Sequence, residues 1–189
     1  AFDRARALNV ARHDRVALVA DMARFNALYM IATAGSGHIG SSFSSMEIFT
    51  HLQLAEIDAA AGDVFFSSKG HDAPGLYAIM MALGLLDEGL IHRLRRLGGL
   101  PGHPDVGVEG IVANTGSLGM GISKAKGMVL AARLKKSPIK VAVVTGYGEL
   151  QEGQIWESLV SAANWKMGER TVVVDHNKIQ SDYSVERTS

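Results

Sequence analysis

The sequence predicts an α/β fold with a parallel sheet and helices on both faces. Residues 140–145 and 170–175 are apolar runs without polar alternation, which is typical of strands buried on both faces. A predicted helix over 151–165 lies between them, and a strand, a crossover helix and a second strand form a parallel unit. The 21 glycines cluster at a few places, where the backbone has to turn sharply or approach a ligand closely.

The first long helix is predicted over 14–33. Asp14 is placed to cap it, and the glycine-rich residues 35–40 end it. Its apolar residues recur at steps of four, three and four: Leu18, Met22, Phe25 and Tyr29. This spacing predicts the apolar face of an amphipathic helix.

The remaining elements follow in chain order. They are a helix capped by Ser44 or Ser45, a strand over 63–67, a helix from Pro74 to about residue 85, a helix over 87–97 and a helix from about Gly121 to Leu134. Residues 98–114 have no clear period and carry five glycines and two prolines, which indicates a functional loop. No repeat or linker interrupts the chain, so residues 1–189 are predicted to be one domain.

Composition excludes several classes of function. Nineteen basic and nineteen acidic residues give a net charge of zero, which indicates neither a nucleic-acid partner nor a membrane surface. The absence of cysteine excludes disulfides, thiolate metal sites and cysteine nucleophiles. No uninterrupted apolar run reaches the ~18 to 20 residues of a membrane span. A cytoplasmic protein is expected.

The strongest chemical pattern joins two strand ends. The sequence Gly146-Tyr147-Gly148-Glu149 follows one predicted strand, and Asn177 follows the next. Both therefore lie at the carboxyl edge of the sheet, where α/β proteins bind ligands. A glycine turn offers backbone N–H groups to a phosphate, and an amide oxygen suits Mg²⁺ or Ca²⁺. Spacing alone leaves two interpretations open, a diphosphate-type site and an ordinary tight turn.

The motifs around this pattern resemble the transketolase family. A glycine turn followed about 28 residues later by Asn is similar to its thiamine-diphosphate (ThDP) motif, Gly-Asp-Gly with a later Asn. The other similar blocks occur in the family's order: GSGHIGSSFS, FFSSKGHDAPGLYAIM, LPGHPD, TGSLGMGISKAKGM and GELQEGQIWESLVSAANWKM. Together they span residues 35 to 180. The resemblance implies the ThDP-binding fold of the diphosphate-binding (PP) domain.

The resemblance also implies roles for individual residues. His38 and His103 would face the sugar substrate and move protons. The implied cofactor contacts are His71 and Gly148 at the diphosphate, the backbone of Gly116, Ser117 and Leu118 at the aminopyrimidine ring, and also Glu149 and Asn177. Asn177 and the carbonyl of Ile179 would bind the metal. Glu152 would lie near an interface between subunits.

Four of the seven histidines are interpreted as surface or helix residues and not as catalysts: His13, His51, His92 and His176. The other three, His38, His71 and His103, each follow a glycine inside a matching block. That setting, together with imidazole chemistry, favours a functional role for them.

Tyr147 departs from the family pattern. It stands at the position of the metal-binding Asp. A phenol has a reference pKa of about 10, so at neutral pH it does not supply the anionic oxygen of a carboxylate. We therefore expect weakened binding of metal and cofactor, unless the ring swings out and water replaces the carboxylate.

The implied activity is that of a transferase of carbohydrate metabolism and the pentose phosphate pathway. A complete enzyme would move a two-carbon ketol unit between sugar phosphates, using ThDP and Mg²⁺ or Ca²⁺. The glutamate that activates the cofactor lies in a following domain in the family, so a C-terminal subunit or domain is an expected partner. The PP domain is expected to be incomplete at its C-terminus, and a homodimer or heterotetramer is expected. Two alternatives are another ThDP enzyme, such as a 1-deoxyxylulose-5-phosphate synthase, and a non-catalytic binding or scaffold subunit.

Overall fold

In the computed structural model, which describes residues 1–180 and 183–184, three strands form a parallel sheet. Their order is β1-β2-β3, with β1 at Val64–Ser67, β2 at Val141–Gly146 and β3 at Arg170–Asp175. In the register, Phe66 pairs with Val143, and Val143 pairs with Val172. All three carboxyl ends therefore lie at one edge, and the predicted α/β class is confirmed.

Burial differs between the two strands that the sequence predicts to be covered on both faces. Residues 141–145 of β2 are buried, as predicted. In β3, however, Thr171 is exposed and Val172, Val173 and Val174 are only half-buried. The expectation of burial on both faces was therefore wrong for β3. Its place at the side of the sheet is not the cause, because β1 also has a neighbour on one side only among the described strands and is largely buried.

The chain divides into two compact units. The α/β unit comprises residues 57–70 and 115–189, and the helical unit comprises residues 1–56 and 71–114. The sequence predicts one domain, and that stays a prediction. The chain passes from one unit to the other at three points along its length.

Helices pack on the sheet inside the α/β unit. Helix α6 contacts β2 and β3, and helix α7 packs against α6. The elements that complete this unit with the three strands are 3₁₀ helices at Ala59–Ala61 and Gly148–Gln151, α6 at Gly121–Leu134, α7 at Gly153–Asn164, and the antiparallel pair β4 (Ile179–Gln180) and β5 (Tyr183–Ser184).

The helical unit is built around α2 and α5. Its elements are α1 (Phe2–Arg6), α2 (Arg12–Ala34), α3 (Ile39–Ser44), α4 (Met46–His51), a π-helical turn (Leu52–Glu56), α5 (Ala73–Ala82) and a 3₁₀ helix (Glu88–His92). Helix α5 is buried along its whole length, and Pro74 lies in its first turn as predicted. The prediction of a helix over 87–97 is wrong, because only the 3₁₀ helix Glu88–His92 forms there.

Helix α2 buries a different face from the predicted one. Phe25 is 73% exposed, and Leu18 and Tyr29 are also exposed. The buried residues are Val16, Val19, Ala20, Ala23, Ala27 and Met30. Small side chains let α4 and α5 approach α2 closely, so tertiary packing selects the alanine face. The helix begins at Arg12, which places Asp14 inside the first turn, and Gly35 ends it at φ +68° as predicted.

Helix α2 is also long and apolar enough, by length and composition alone, to cross a membrane. One third of its most apolar window is buried within the structure. Arg24 interrupts the apolar run of side chains and forms ion pairs with Asp21 and Glu47. The core helix of a soluble protein meets the same criterion, so this single helix is weak grounds for a membrane span.

Candidate functional site

The glycine turn after β2 lies beside the end of β3. Gly146 is in register with Asp175, and the Tyr147 N–H donates to the Asp175 carbonyl at 3.1 Å. Gly148 then begins the 3₁₀ helix that leads to α7. The turn and the chain leading to Asn177 therefore share one edge of the sheet, as the sequence predicts.

Tyr147 stacks on His176 at this edge. The ring centroids are 4.3 Å apart and the planes are inclined by 26°. His176 is exposed, as predicted, but no sequence pattern indicated the stack. Asn177 is the next residue and is half-buried, and Lys178 adopts a left-handed φ of +62° before Ile179 begins β4.

The donor set at this edge does not fit a divalent cation in the family's way. The Asn177 amide and the Ile179 carbonyl are neutral oxygen donors of the kind that Mg²⁺ accepts. The third predicted position is filled by Tyr147, whose ring is stacked on His176 instead of presenting a carboxylate. Within residues 1–180 and 183–184, no cluster of three His, Asp or Glu side chains could supply the missing charge.

The segment 115–118 forms a second part of the α/β unit's candidate site. Gly116 has φ +123°, and Ser117 and Leu118 are exposed. A Cβ on Gly70 would lie 2.5 Å from the Gly116 N and Cα, so Gly70 is the residue that permits this close approach. The Thr115 hydroxyl is buried and has no hydrogen-bond partner among the described residues. An unsatisfied polar group beside exposed backbone fits a ligand that brings its own polar atoms.

Glu149 is buried in this unit and hydrogen-bonded to its surroundings. Only 3% of the residue is exposed. Its carboxylate accepts hydrogen bonds from Ser68 Oγ, from the Gly119 N–H at 2.8 Å and from the Gly146 N–H at 3.2 Å. The predicted cofactor contact of Glu149 stays a prediction, while its observed bonds join three turns of the chain.

A buried ion pair lies at the same edge. Lys69 Nζ donates to Asp175 Oδ2 at 2.6 Å, and the two residues are 2% and 4% exposed. The Lys69 stem lies beside Gly146, where an added Cβ would be 3.5 Å from Lys69 Cγ. Sequence reasoning missed this pair. The available signal was one basic and one acidic residue at the carboxyl ends of two apolar strands.

Two of the predicted histidines meet in the helical unit. His38 precedes α3 and His71 precedes Asp72, the cap of α5. Their rings lie 5.1 Å apart in an edge-to-face arrangement inclined by 69°. This places an exposed imidazole next to a half-buried one. Both side chains can donate or accept hydrogen bonds, as a polar substrate or phosphate would require.

His103 lies in the loop 98–114, where its side chain is exposed. The buried Tyr77 hydroxyl donates to the His103 carbonyl at 3.2 Å. Burial raises the pKa of Tyr77, and the nearby Asp105 adds to this, so the phenol stays protonated and keeps its donor. Tyr77 thus anchors the backbone of the loop that carries His103.

Known proteins resemble this chain in sequence and structure. The family model described as "Transketolase, thiamine diphosphate binding domain" matches residues 16–189. An apulose-4-phosphate transketolase subunit from Phocaeicola vulgatus is 33% identical over 159 residues, covering 80% of this chain and 57% of the relative. The 6-deoxy-6-sulfo-D-fructose transketolase subunit SqwG of a Clostridium species is 37% identical over 172 residues, covering 86% of this chain and 62% of the relative.

Full-length transketolases are similar over a smaller part of their length. Human transketolase is 34% identical over 173 residues, which is 86% of this chain and 28% of the human protein. The solved transketolase of Leishmania mexicana superposes with a TM-score of 0.81 at 26% identity, covering 92% of this chain and 29% of that one. The chain thus spans about three fifths of the subunit relatives and less than a third of the full-length ones. It belongs to the family of transketolase thiamine-diphosphate-binding domains.

Proposed function

We propose that this chain is the diphosphate-binding part of a ThDP-dependent transketolase, which transfers a two-carbon ketol unit between sugar phosphates. The observation that carries the proposal is the glycine turn Gly146–Gly148 beside the Asp175–Asn177 end of β3. Segment 115–118, with its unsatisfied Thr115 hydroxyl, lies in the same unit. The family match supports assigning both features to one cofactor.

Individual residues take the following proposed roles. The Gly148 N–H and the His71 imidazole hold the cofactor diphosphate, and the backbone of Gly116–Leu118 holds the aminopyrimidine ring. His38 and His103 orient the sugar hydroxyls and carry protons. Bound ThDP would supply the nucleophilic carbon for the two-carbon transfer. The contact of the His38 and His71 rings supports adjacent substrate and diphosphate roles.

A partner subunit or domain is part of the proposal. Two relatives are named as transketolase subunits, and the chain spans only about three fifths of each. We propose that a C-terminal subunit or domain provides pyrimidine binding and the activating glutamate, within a homodimer or heterotetramer. A cytoplasmic location is part of the same proposal.

The test combines ThDP binding with turnover. The chain is mixed with a C-terminal transketolase subunit, and ThDP binding is measured by calorimetry in Mg²⁺. Two-carbon transfer between sugar phosphates is then assayed. Saturable binding together with turnover that requires both chains supports the proposal. Binding without turnover in any partner mixture contradicts the catalytic part, and absence of binding contradicts the whole.

A second candidate function is a non-catalytic subunit that retains the fold. The stack of Tyr147 on His176 favours it, because the metal-binding carboxylate is replaced by a packed ring. Under this hypothesis, Tyr147→Asp raises ThDP affinity in Mg²⁺ by about 100-fold, a few kcal/mol of binding free energy. Tyr147→Phe is the matched control, since it keeps a ring and removes only the hydroxyl. Equal affinities of the Tyr and Asp forms contradict it.

A further inference from the structure

Three turns of the α/β unit meet at one buried carboxylate. Glu149 Oε1 accepts hydrogen bonds from the Gly119 N–H and the Ser68 hydroxyl, and Oε2 accepts one from the Gly146 N–H. All three neighbours donate, and a carboxylate offers acceptors only, so the chemistry of the group matches its setting. Hydrogen bonds to a charged group of this kind are stronger than bonds between neutral groups.

Ser68 extends the connection to helix α6. Its Oγ accepts a hydrogen bond from the Gly121 N–H at 3.1 Å. A Cβ at Gly121 would lie 2.2 Å from this oxygen, so glycine is required for the approach. The first residue of α6 is therefore fixed to the end of β1 through Ser68, and Ser68 is fixed to Glu149.

Segment 115–119 is hydrogen-bonded to Glu149 through Gly119. Gly116 and Gly119 have φ values of +123° and +82°. Glycine adopts this conformation without strain, but it does not hold the backbone there. Ser117 and Leu118 are exposed. The bond from the Gly119 N–H to Glu149 is thus a direct tether between this segment and the glycine turn that contains Gly146.

We propose that Glu149 is a positioning residue that fixes segment 115–119 relative to the glycine turn 146–148. The cofactor consequence rests on the proposed function, in which the first segment holds the aminopyrimidine ring and the second holds the diphosphate. A ligand that contacts both segments then binds tightly only while Glu149 keeps the two segments in their observed relative position.

The first measurement needs no ligand. Amide hydrogen exchange at Gly119 and Gly146 is compared in the wild type, Glu149→Gln and the exposed-residue control Glu88→Gln. The Gln side chain keeps one acceptor and presents an NH₂ donor, so at least one of the two amides loses its partner and exchanges about tenfold faster. The control leaves both rates unchanged. Unchanged rates in folded Glu149→Gln overturn the positioning role.

A second variant covers the case in which Glu149→Gln fails to fold. Ser68→Ala removes one donor to Glu149 and the acceptor of the Gly121 N–H, and leaves the carboxylate in place. Gly121 exchange then rises by about tenfold, while Gly146 keeps its protection because its own acceptor remains. Equal exchange of Gly121 in the Ser68→Ala variant and the wild type contradicts the proposed connection.

The second measurement compares ThDP with inorganic pyrophosphate as probes, in Mg²⁺ and with the C-terminal subunit present. Pyrophosphate fills only the proposed diphosphate position, whereas ThDP needs segment 115–119 as well. Glu149→Gln is expected to weaken ThDP about tenfold and pyrophosphate less than about threefold, because only the spanning ligand loses preorganisation. Equal losses for the two probes overturn the cofactor role. If the wild type binds neither probe, the proposed function fails and the cofactor role with it, while the exchange rates decide the positioning role independently.

Discussion

At the scale of single residues, the ion pair of Lys69 and Asp175 links the ends of β1 and β3 at the carboxyl edge of the sheet. Lys69 follows β1 and Asp175 ends β3, so the pair reaches across β2 at Gly146, where no side chain obstructs it. The Asp175 carbonyl also accepts the Tyr147 N–H. Asp175 thus binds Lys69 through its side chain and the glycine turn through its backbone carbonyl.

Removing one partner of this pair should be costly. Lys69→Met leaves the Asp175 carboxylate buried without its cation, and is expected to lower the free energy of unfolding by about 3–5 kcal/mol in urea titrations. Replacing both, in Lys69→Met with Asp175→Leu, should cost less than the sum of the single changes. Asp3→Asn, at an exposed ion pair, should stay within about 0.5 kcal/mol of the wild type. A Lys69→Met variant as stable as Asp3→Asn would show that the pair contributes nothing.

At this scale, the sequence predicted that the glycine turn and the chain leading to Asn177 share one edge of the sheet, but not the contacts that support them. The glycine turn, Asn177 and the histidines that follow glycines stand in motif blocks, so their positions are readable from residue type and spacing. Lys69, Ser68 and Asp175 gain their importance from contacts between residues far apart in the chain, such as the 106-residue separation of the ion pair. Residue spacing carries no information about such a contact until the strand order is known.

At the scale of elements, helix α2 shows how packing overrides hydrophobicity. Its large apolar residues Phe25 and Tyr29 are exposed, while Ala20, Ala23 and Ala27 are fully buried. A helix that lies against two others needs a narrow face, and alanine provides it. The sequence predicted the presence of the helix from its periodicity but selected the wrong face, because size and hydrophobicity were weighted above close approach.

Because the alanine face is the buried one, a change at a small alanine should destabilise the protein more than removal of a large aromatic side chain. Ala27→Leu inserts three carbons into a closed interface and is expected to lower the free energy of unfolding by about 1–3 kcal/mol. Phe25→Ala, at a residue that is 73% exposed, should change it by less than about 0.5 kcal/mol in the isolated chain. Thermal or urea unfolding of both variants provides the measurement. A larger loss for Phe25→Ala than for Ala27→Leu would restore the face predicted from sequence.

At the scale of the whole molecule, the α/β class was predictable because two apolar runs separated by a helical segment indicate a parallel unit, even though β3 is only half-buried. The division into a helical and an α/β unit was not. Each unit is assembled from two separate segments, and residues 57–70 leave the helical segment to supply β1. Composition does not change at these crossings, so no linker marks them in the sequence.

The three crossings between the units lead to a prediction about how cooperatively the protein unfolds. Neither unit is a continuous stretch of chain, so neither should unfold while the other keeps its fold, and a single transition is expected. Both tryptophans, Trp156 in α7 and Trp165 after it, lie in the α/β unit. Tryptophan fluorescence therefore reports this unit, while far-ultraviolet circular dichroism reports helices in both.

The two signals, recorded along one urea titration, should superimpose with the same midpoint and slope. Phe25→Ala serves as the control, since an exposed change in the helical unit should leave both curves together. Distinct midpoints, with circular dichroism lost before or after fluorescence, would instead show two independently folding units. Residues 1–189 would then be two domains joined by three crossings, and the prediction of one domain would be wrong.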